Sequence, residues 1–159
     1  MKQELPPVRT ARRDFLALLG AGGAGLLASA LFPHRSFAAV EDALKAIEEI
    51  TGGKTPAEGK VSLELPAIAE NGNTVPFTVS VDSPMTDTDY VKAIHILAEE
   101  NPSPEVATFY LTPKSGKAEV KARTRLAKTQ DVAAVAEMSD GSMYIARQRI
   151  KVTIGGCGG

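Results

Sequence analysis

The sequence predicts an all-β protein: an immunoglobulin-like antiparallel β-sandwich of about seven strands, with an N-terminal helix and a flexible C-terminal arm. Beyond residue 60, apolar residues alternate with polar ones in about seven short runs, which is the period of half-buried strands. The connecting segments are short and contain Asn, Gly, Pro and Ser. Strands do not alternate with helical segments, so a parallel βαβ fold is not expected. Seven such strands in about 100 residues favour two packed antiparallel sheets.

Residues 1–38 have the pattern of an export signal. Arg12 and Arg13 precede a mostly apolar, glycine-rich stretch, and Ser-Phe-Ala at 36–38 supplies small residues where a signal peptidase requires them. The arginine pair is typical of twin-arginine signals, which export folded proteins. We therefore predict cleavage after residue 38 and a periplasmic location. The alternative is a membrane anchor, because the uncharged run 15–33 approaches spanning length, although four glycines dilute it.

Removal of the signal leaves 121 of the 159 residues, enough for one domain at 39–154 and a five-residue arm at 155–159. The remaining 13 basic and 17 acidic residues give a net charge near -4. Such a surface has no cationic excess to neutralise phosphates, so nucleic-acid binding is not expected. No second apolar stretch is long enough to span a membrane.

An amphipathic helix is predicted at the start of this domain, ending at Gly52-Gly53. Its charged residues face away from the apolar ones, so we expect the helix to pack over a sheet or a partner. The apolar positions at helical spacing are Val40, Ala43, Leu44, Ile47 and Ile50.

Four of the predicted strands have distinguishing features. Pro76 lies inside the run 75–81 and predicts an edge strand or a bulge. The stretch 90–99 is apolar on both faces, as in a central strand. Asp140-Gly141 separates the runs 132–138 and 143–154 and predicts a hairpin. The other predicted strands are the alternating runs 61–65, 107–111 and 118–122.

The final strand is predicted to anchor the arm. Ile150, Val152 and Ile154 share one face, which can join the core, and the glycines begin at the next residue. We therefore expect a rigid anchor up to Ile154 and a free arm from Gly155 onward.

The arm contains Cys157, the sole cysteine, between two glycine pairs, Gly155-Gly156 and Gly158-Gly159. Glycine loses the most backbone entropy on ordering, so the arm should stay mobile and reach roughly 17 Å when extended. A single cysteine cannot form an internal disulfide. No histidine or cation adjoins the cysteine in sequence. A free thiol has a pKa of about 8.5, so little thiolate is expected at neutral pH. Cys157 is thus predicted to carry a covalent group that partners activate, with no catalytic residue of its own.

Other candidate sites are weaker. His95 lies in an apolar strand and is predicted to be a satisfied core histidine. One histidine and one cysteine do not form a zinc site, and a Cys–His nucleophilic pair would require the arm to fold back. Met85, Met138 and Met143 are expected in the core rather than on copper. We therefore predict neither a metal nor a cofactor.

Several motifs together resemble the SoxY family, the sulfur-carrying subunit of the SoxYZ complex in bacterial thiosulfate oxidation. The resemblance covers essentially the whole chain, including the twin-arginine signal. The motifs are Asn71-Gly72-Asn73-Thr74-Val75-Pro76, Ser83-Pro84-Met85-Thr86, Asp89-Tyr90-Val91, Asn101-Pro102-Ser103-Pro104, Val106-Ala107-Thr108-Phe109 and the terminal Lys151-Val152-Thr153-Ile154-Gly155-Gly156-Cys157-Gly158-Gly159.

The resemblance implies a non-enzymatic carrier in a heterodimer with SoxZ, with sulfur species attached to Cys157. It implies that a c-type cytochrome pair joins thiosulfate to the cysteine as Cys-S-S-sulfonate. A manganese-dependent hydrolase then releases sulfate, and a sulfur dehydrogenase, where present, oxidises the remaining sulfur. Haem, manganese and molybdenum belong to these partners, to which the carrier binds transiently.

Three alternatives remain at this point. An exported structural module could use Cys157 for a permanent inter-chain disulfide. A ubiquitin-like sulfur carrier also ends in Gly-Gly, but it is cytosolic and needs no cysteine. A thiol-dependent enzyme would show catalysis without partners.

Overall fold

The computed structural model describes residues 37–156, which form one helix and eight strands. A short 3-10 helix, Pro113–Ser115, lies between the fifth and sixth strands. The signal-peptide residues, including Arg12 and Arg13, lie outside the described residues. The elements are α1 Phe37–Thr51, β1 Val61–Glu64, β2 Ile68–Asn71, β3 Val75–Val81, β4 Val91–Ala98, β5 Glu105–Tyr110, β6 Glu119–Thr124, β7 Gln130–Met138 and β8 Met143–Ile154.

The strands form two sheets, one with the order β1-β3-β6 and one with the order β2-β8-β7-β4-β5. All neighbouring strands are antiparallel except β2 and β8, which run parallel. The predicted all-β sandwich with an N-terminal helix is confirmed. Strand β2 was not predicted, because its four residues bury only Ala69 and so show no alternation.

The main core lies between the two sheets. Every second residue of β4, β7 and β8 points toward the smaller sheet, as the strand pleat requires. Strand β4 pairs with β7 on one side and β5 on the other, and it is buried on both faces, which confirms the predicted central strand. The largest fully buried core side chains include Ile94, Ile96, Leu126, Met138 and Ile150.

Helix α1 covers part of the outer face of the five-stranded sheet. Ala46 and Ile47 pack against Leu97, Val135 and Ile145, which point away from the main core. The predicted packing of the helix over a sheet is therefore confirmed.

The helix differs from the prediction at one apolar position. Leu44 was expected to face inward, yet its side chain is 53% exposed, because Ala43 and Ala46 mark the centre of the buried stripe. The helix ends as predicted: Gly52 N–H donates to Glu49 O, and Gly53 N–H donates to Glu48 O, with both glycines at positive φ. This pair of hydrogen bonds is the Schellman motif.

Pro76 lies in a central strand, so the predicted edge strand is wrong. Strand β3 runs between β1 and β6, but β1 pairs only with residues 78–81. At Pro76 the only neighbour is Arg123 of β6. The missing proline N–H is tolerated because this end of β3 has a partner on one side alone.

The predicted hairpin between β7 and β8 is confirmed. Gly141 has φ 80°, and its N–H donates to Met138 O at 3.0 Å. The N–H and hydroxyl of Ser142 donate to Asp140 Oδ1, and these hydrogen bonds hold the pKa of Asp140 below its usual value. The bounds of β8 are those predicted. Within residues 37–156, α1 is not of the length and apolarity that a membrane crossing needs.

Candidate functional site at the base of the C-terminal arm

The described part of the predicted site is the base of the arm, Gly155 and Gly156. Cys157, Gly158 and Gly159 lie outside the described residues. The base directly follows β8, the longest strand of the five-stranded sheet. The site is therefore built from the end of β8 and the loops beside it.

The sheet topology brings two loops to the end of β8. Because β2 is parallel to β8, the chain leaving β2 at Gly72 lies beside the chain leaving β8. Because β7 is antiparallel to β8, with Gln130 opposite Ile150, the segment 125–129 that precedes β7 lies at the same edge. Three chain segments far apart in sequence thus meet at the arm.

Backbone hydrogen bonds join these segments. Gly72 N–H donates to Ile154 O at 2.8 Å, Leu126 N–H donates to Gly72 O at 2.8 Å, and Gly156 N–H donates to Leu126 O at 2.9 Å. Gly156 is buried. We call the set Gly72, Leu126, Ala127, Gly155 and Gly156 the arm clamp.

Each of the three clamp glycines lies where a side chain would collide with backbone. A Cβ at Gly72 would overlap Leu126 O and lie 2.6 Å from Gly156 N, and a Cβ at Gly156 would lie 2.8 Å from Gly72 O. A Cβ at Gly155 would overlap Ala127 O. These positions therefore require glycine because backbones approach closely there.

The hydrogen bond of Gly156 lies within the segment 155–159 that the sequence predicts to be a free arm. Glycine composition predicts a high entropic cost of ordering, but it also permits backbone hydrogen bonds that a side chain would prevent. Buried backbone groups gain such partners at the clamp, which offsets the cost. The chain is held up to Gly156.

Two side-chain amides hold the loop 125–129 in place. Asn101 Nδ2 donates to Arg125 O at 2.9 Å, while Asn101 Oδ1 accepts from Ala127 N–H at 3.0 Å. The side chain of Gln130 is fully buried and donates through Nε2 to Asn101 Oδ1 at 2.8 Å. We call Asn101 and Gln130 the amide pair.

Further contacts tie the amide pair to the sheet. Gln130 Nε2 also donates to Lys128 O at 3.2 Å, and Gln130 Oε1 accepts from Glu100 N–H at 2.8 Å. Thr129 Oγ1 accepts from Val152 N–H at 2.9 Å, which joins the loop to β8. Among residues 37–156, no buried side-chain nitrogen or oxygen lacks a partner. The clamp therefore rests on a fully paired polar network.

The other candidate residues lie elsewhere. His95 is half-buried on the outer face of the large sheet rather than in the main core, and its Nδ1 lies 3.0 Å from Thr108 Oγ1. Burial lowers the pKa of His95, against the opposing attraction of Glu137 and Glu105. His95 therefore has a hydrogen-bond partner, as predicted, but the predicted location in the core is wrong.

The three methionines within residues 37–156 differ in burial. Met85 and Met138 are buried in the main core, as predicted, and Met143 is half-buried. Between residues 37 and 156 there is no group of three or more His, Cys, Asp or Glu side chains that could hold a metal ion.

The clamp and the amide pair were not predicted from the sequence as parts of the site. Gly72 stands between two asparagines, which indicates a turn but not contact with the chain terminus. A buried glutamine at the start of β7 has no signal in local sequence, because glutamine is usually exposed. Only the pairing of β8 with both β2 and β7 would have pointed to these residues.

Comparison with known proteins identifies the family. The family profile described as "Sulfur oxidation protein SoxY" matches residues 47–157. The structure of the sulfur carrier protein SoxY from Chlorobium limicola f thiosulfatophilum is similar, with 33% identity and a TM-score of 0.60, and the match covers 72% of this chain and 96% of that one. No curated protein sequence matches the chain.

Less similar structures share only the fold. A superoxide reductase (neelaredoxin) from Ignicoccus hospitalis matches with 19% identity and a TM-score of 0.52, over 59% of this chain and 80% of that one. A superoxide reductase from Nanoarchaeum equitans matches with 9% identity and a TM-score of 0.51, over 61% of this chain and 100% of that one. The profile match and the Chlorobium structure, by contrast, show that the chain belongs to the SoxY family of sulfur oxidation proteins.

Proposed function

We propose that this protein is a periplasmic covalent carrier that holds sulfur intermediates of thiosulfate oxidation as thiol adducts on Cys157 and presents them to partner enzymes. The observation that carries the proposal is the family match, which extends over residues 47–157 and so ends on the sole cysteine. The 33% identical structure is that of a protein named as a sulfur carrier, which supports the same role. The protein itself is not an enzyme in this proposal.

Loading is an oxidation in this scheme. The sulfane sulfur of thiosulfate joins the sulfur of Cys157, so the S–H bond breaks and an S–S bond forms. One proton goes to solvent, and two electrons go to a c-type cytochrome. The product is Cys157-S-S-sulfonate, which carries a negative charge on its sulfonate group.

Release of sulfate is a hydrolysis. Water attacks the sulfonate sulfur, the bond between it and the sulfane sulfur breaks, and sulfate leaves with release of one proton. Cys157 keeps the sulfane sulfur as a persulfide, which a sulfur dehydrogenase oxidises where present. The metals and haem that these steps need belong to the partners, so the carrier contributes the thiol and its presentation.

The proposed setting follows from the sequence of the two termini. Arg12 and Arg13 support twin-arginine export of a folded protein, and SoxZ is the proposed heterodimer partner. Because Gly158 and Gly159 have no side chains, the segment that carries the thiol is narrow enough to enter the active sites of the cytochrome, the hydrolase and the dehydrogenase.

Intact mass spectrometry of the protein isolated from cells given thiosulfate tests the proposal. We expect mass additions of sulfane sulfur, thiosulfate or sulfonate that map to Cys157 and that a reductant removes. Protein from cells grown without thiosulfate, and the Cys157→Ala variant, serve as controls and should lack them. Additions that persist in Cys157→Ala, or thiosulfate oxidation supported by that variant, would contradict the proposal.

The same material tests the competing role of a structural module. Non-reducing electrophoresis would show one stable disulfide-linked dimer that persists during thiosulfate turnover if Cys157 made a permanent inter-chain bond. We expect instead a predominantly monomeric thiol pool whose adducts change with substrate.

A further inference from the structure

We infer that Gly72 is a positioning residue for the carrier thiol: with Leu126 it holds Gly156 and so fixes the point at which the arm leaves the fold. The inference rests on the proposed function only in treating Cys157 as the residue that must be presented. Gly72 lies far from the arm in sequence and acts through Gly156, not on the cargo.

Gly72 is suited to this role because its backbone is engaged on both sides. Its N–H donates to Ile154 O, the last residue of β8, and its carbonyl accepts from Leu126 N–H. Leu126 O in turn accepts from Gly156 N–H. The peptide groups of three segments thus form one hydrogen-bonded layer, and any side chain at Gly72 would displace Leu126 or Gly156.

The clamp shortens the arm that the composition predicts. If the chain were free from Gly155, the Cα of Cys157 could lie about 10 Å from that of Ile154, at roughly 3.4 Å for each residue. With Gly156 held, the Cα of Cys157 lies about 3.8 Å from that of Gly156. The segment between the last held residue and Cys157 therefore shortens from three peptide units to one.

A shorter reach changes what a partner enzyme must do. The partner has to approach the surface formed by the loop after β2 and the segment 125–129, because Gly156 is held there. Confinement also raises the local concentration of the thiol for a partner docked on that surface, as a short tether does. The clamp thus makes docking at this edge of the sheet a condition of sulfur transfer.

Cys157 allows a direct test, because a nitroxide attached to the sole cysteine of the purified full-length mature chain reports on that position alone. Electron paramagnetic resonance should show a slow component in the native protein. In Gly72→Ala we expect the lines to narrow, with a rotational correlation time at least threefold shorter. Circular dichroism should show that the variant retains its β-sheet.

Val79→Ala is the matched control for lost stability. Val79 is fully buried between the sheets and pairs with Leu63 and Val120, away from the clamp. This variant should unfold at lower urea concentration and leave the label spectrum unchanged. A residue that was merely structural would alter stability without altering the spectrum, so the two variants separate positioning from folding.

Gly156→Ala keeps the inference testable if Gly72→Ala does not fold. Its added Cβ would lie 2.8 Å from Gly72 O, a milder overlap, and we expect the same narrowing. A native spectrum as narrow as that of the urea-unfolded chain, or folded clamp variants with the native spectrum, would overturn the inference. Sulfur adducts on Cys157 would still be found in that case, so its failure is distinct from failure of the carrier function.

Discussion

Replacement of Gln130 by methionine tests whether the amide pair supports the fold at the base of the arm. Gln130 is fully buried, and its amide makes hydrogen bonds with Asn101, Lys128 and Glu100. Methionine has a similar length and a flexible side chain, so Gln130→Met conserves volume and removes mainly the polar contacts.

The magnitude follows from the hydrogen bonds that are lost. The N–H of Glu100 loses its acceptor, and the carbonyl of Lys128 loses a donor, while Asn101 Oδ1 keeps the N–H of Ala127. A buried group without a partner costs about 1–3 kcal/mol, and a partly satisfied or partly hydrated one costs less. We expect Gln130→Met to lower the free energy of unfolding by about 2–4 kcal/mol, a large share of the roughly 5–15 kcal/mol of a typical domain.

Urea unfolding monitored by circular dichroism measures this change as a lower midpoint at constant slope. Gln148→Met is the matched control. Gln148 is half-buried, and its amide makes hydrogen bonds with the N–H and the carbonyl of Leu65 at 3.1 and 3.0 Å. Gln148→Met should therefore lower the free energy of unfolding by about 1 kcal/mol. If Gln130→Met lowers the free energy of unfolding no more than Gln148→Met does, the buried network does not stabilise the fold as expected.

Two further predictions concern the outer face of the large sheet. Ile47→Ala should lower the free energy of unfolding by about 2–5 kcal/mol, because Ile47 is buried against the sheet. Leu44→Ala on the same helix should lower it by less than about 1 kcal/mol, because Leu44 is exposed. Equal urea midpoints for the two variants would contradict the packing of α1. Burial lowers the pKa of His95 from 6.5 despite Glu137 and Glu105, so the folded protein binds the proton less readily than the unfolded chain. The stability linked to His95 is therefore complete above about pH 6.5 and is lost as the pH falls through its lowered pKa. Urea midpoints between pH 7.5 and 5 should fall less in His95→Gln than in the native protein, and equal slopes would rule out this linkage.

Local pattern predicted the elements with strong alternation or strong turn residues. Strand β8 has the predicted bounds, and the hairpin at Asp140-Gly141 forms because only a residue such as glycine adopts its positive φ readily. Strand β4 is central because it is apolar on both faces. Strand β2, in contrast, is stabilised by its pairing with β8 rather than by its own four residues. The sequence pattern could not show that β1 is too short to pair with Pro76 of β3.

The family followed from motifs that span the chain, and the profile match confirms it. The C-terminal residues also define the reactive group predicted there, a single thiol between glycine pairs. The packing of the first two glycines was decided by tertiary structure. Gly155 and Gly156 are held because β2 and β7 flank β8 and bring Gly72 and the segment 125–129 to its end. Amino-acid composition indicates the conformational entropy that a glycine loses when it is ordered. Whether the glycine is ordered depends on backbone hydrogen-bond partners that only the folded sheet supplies.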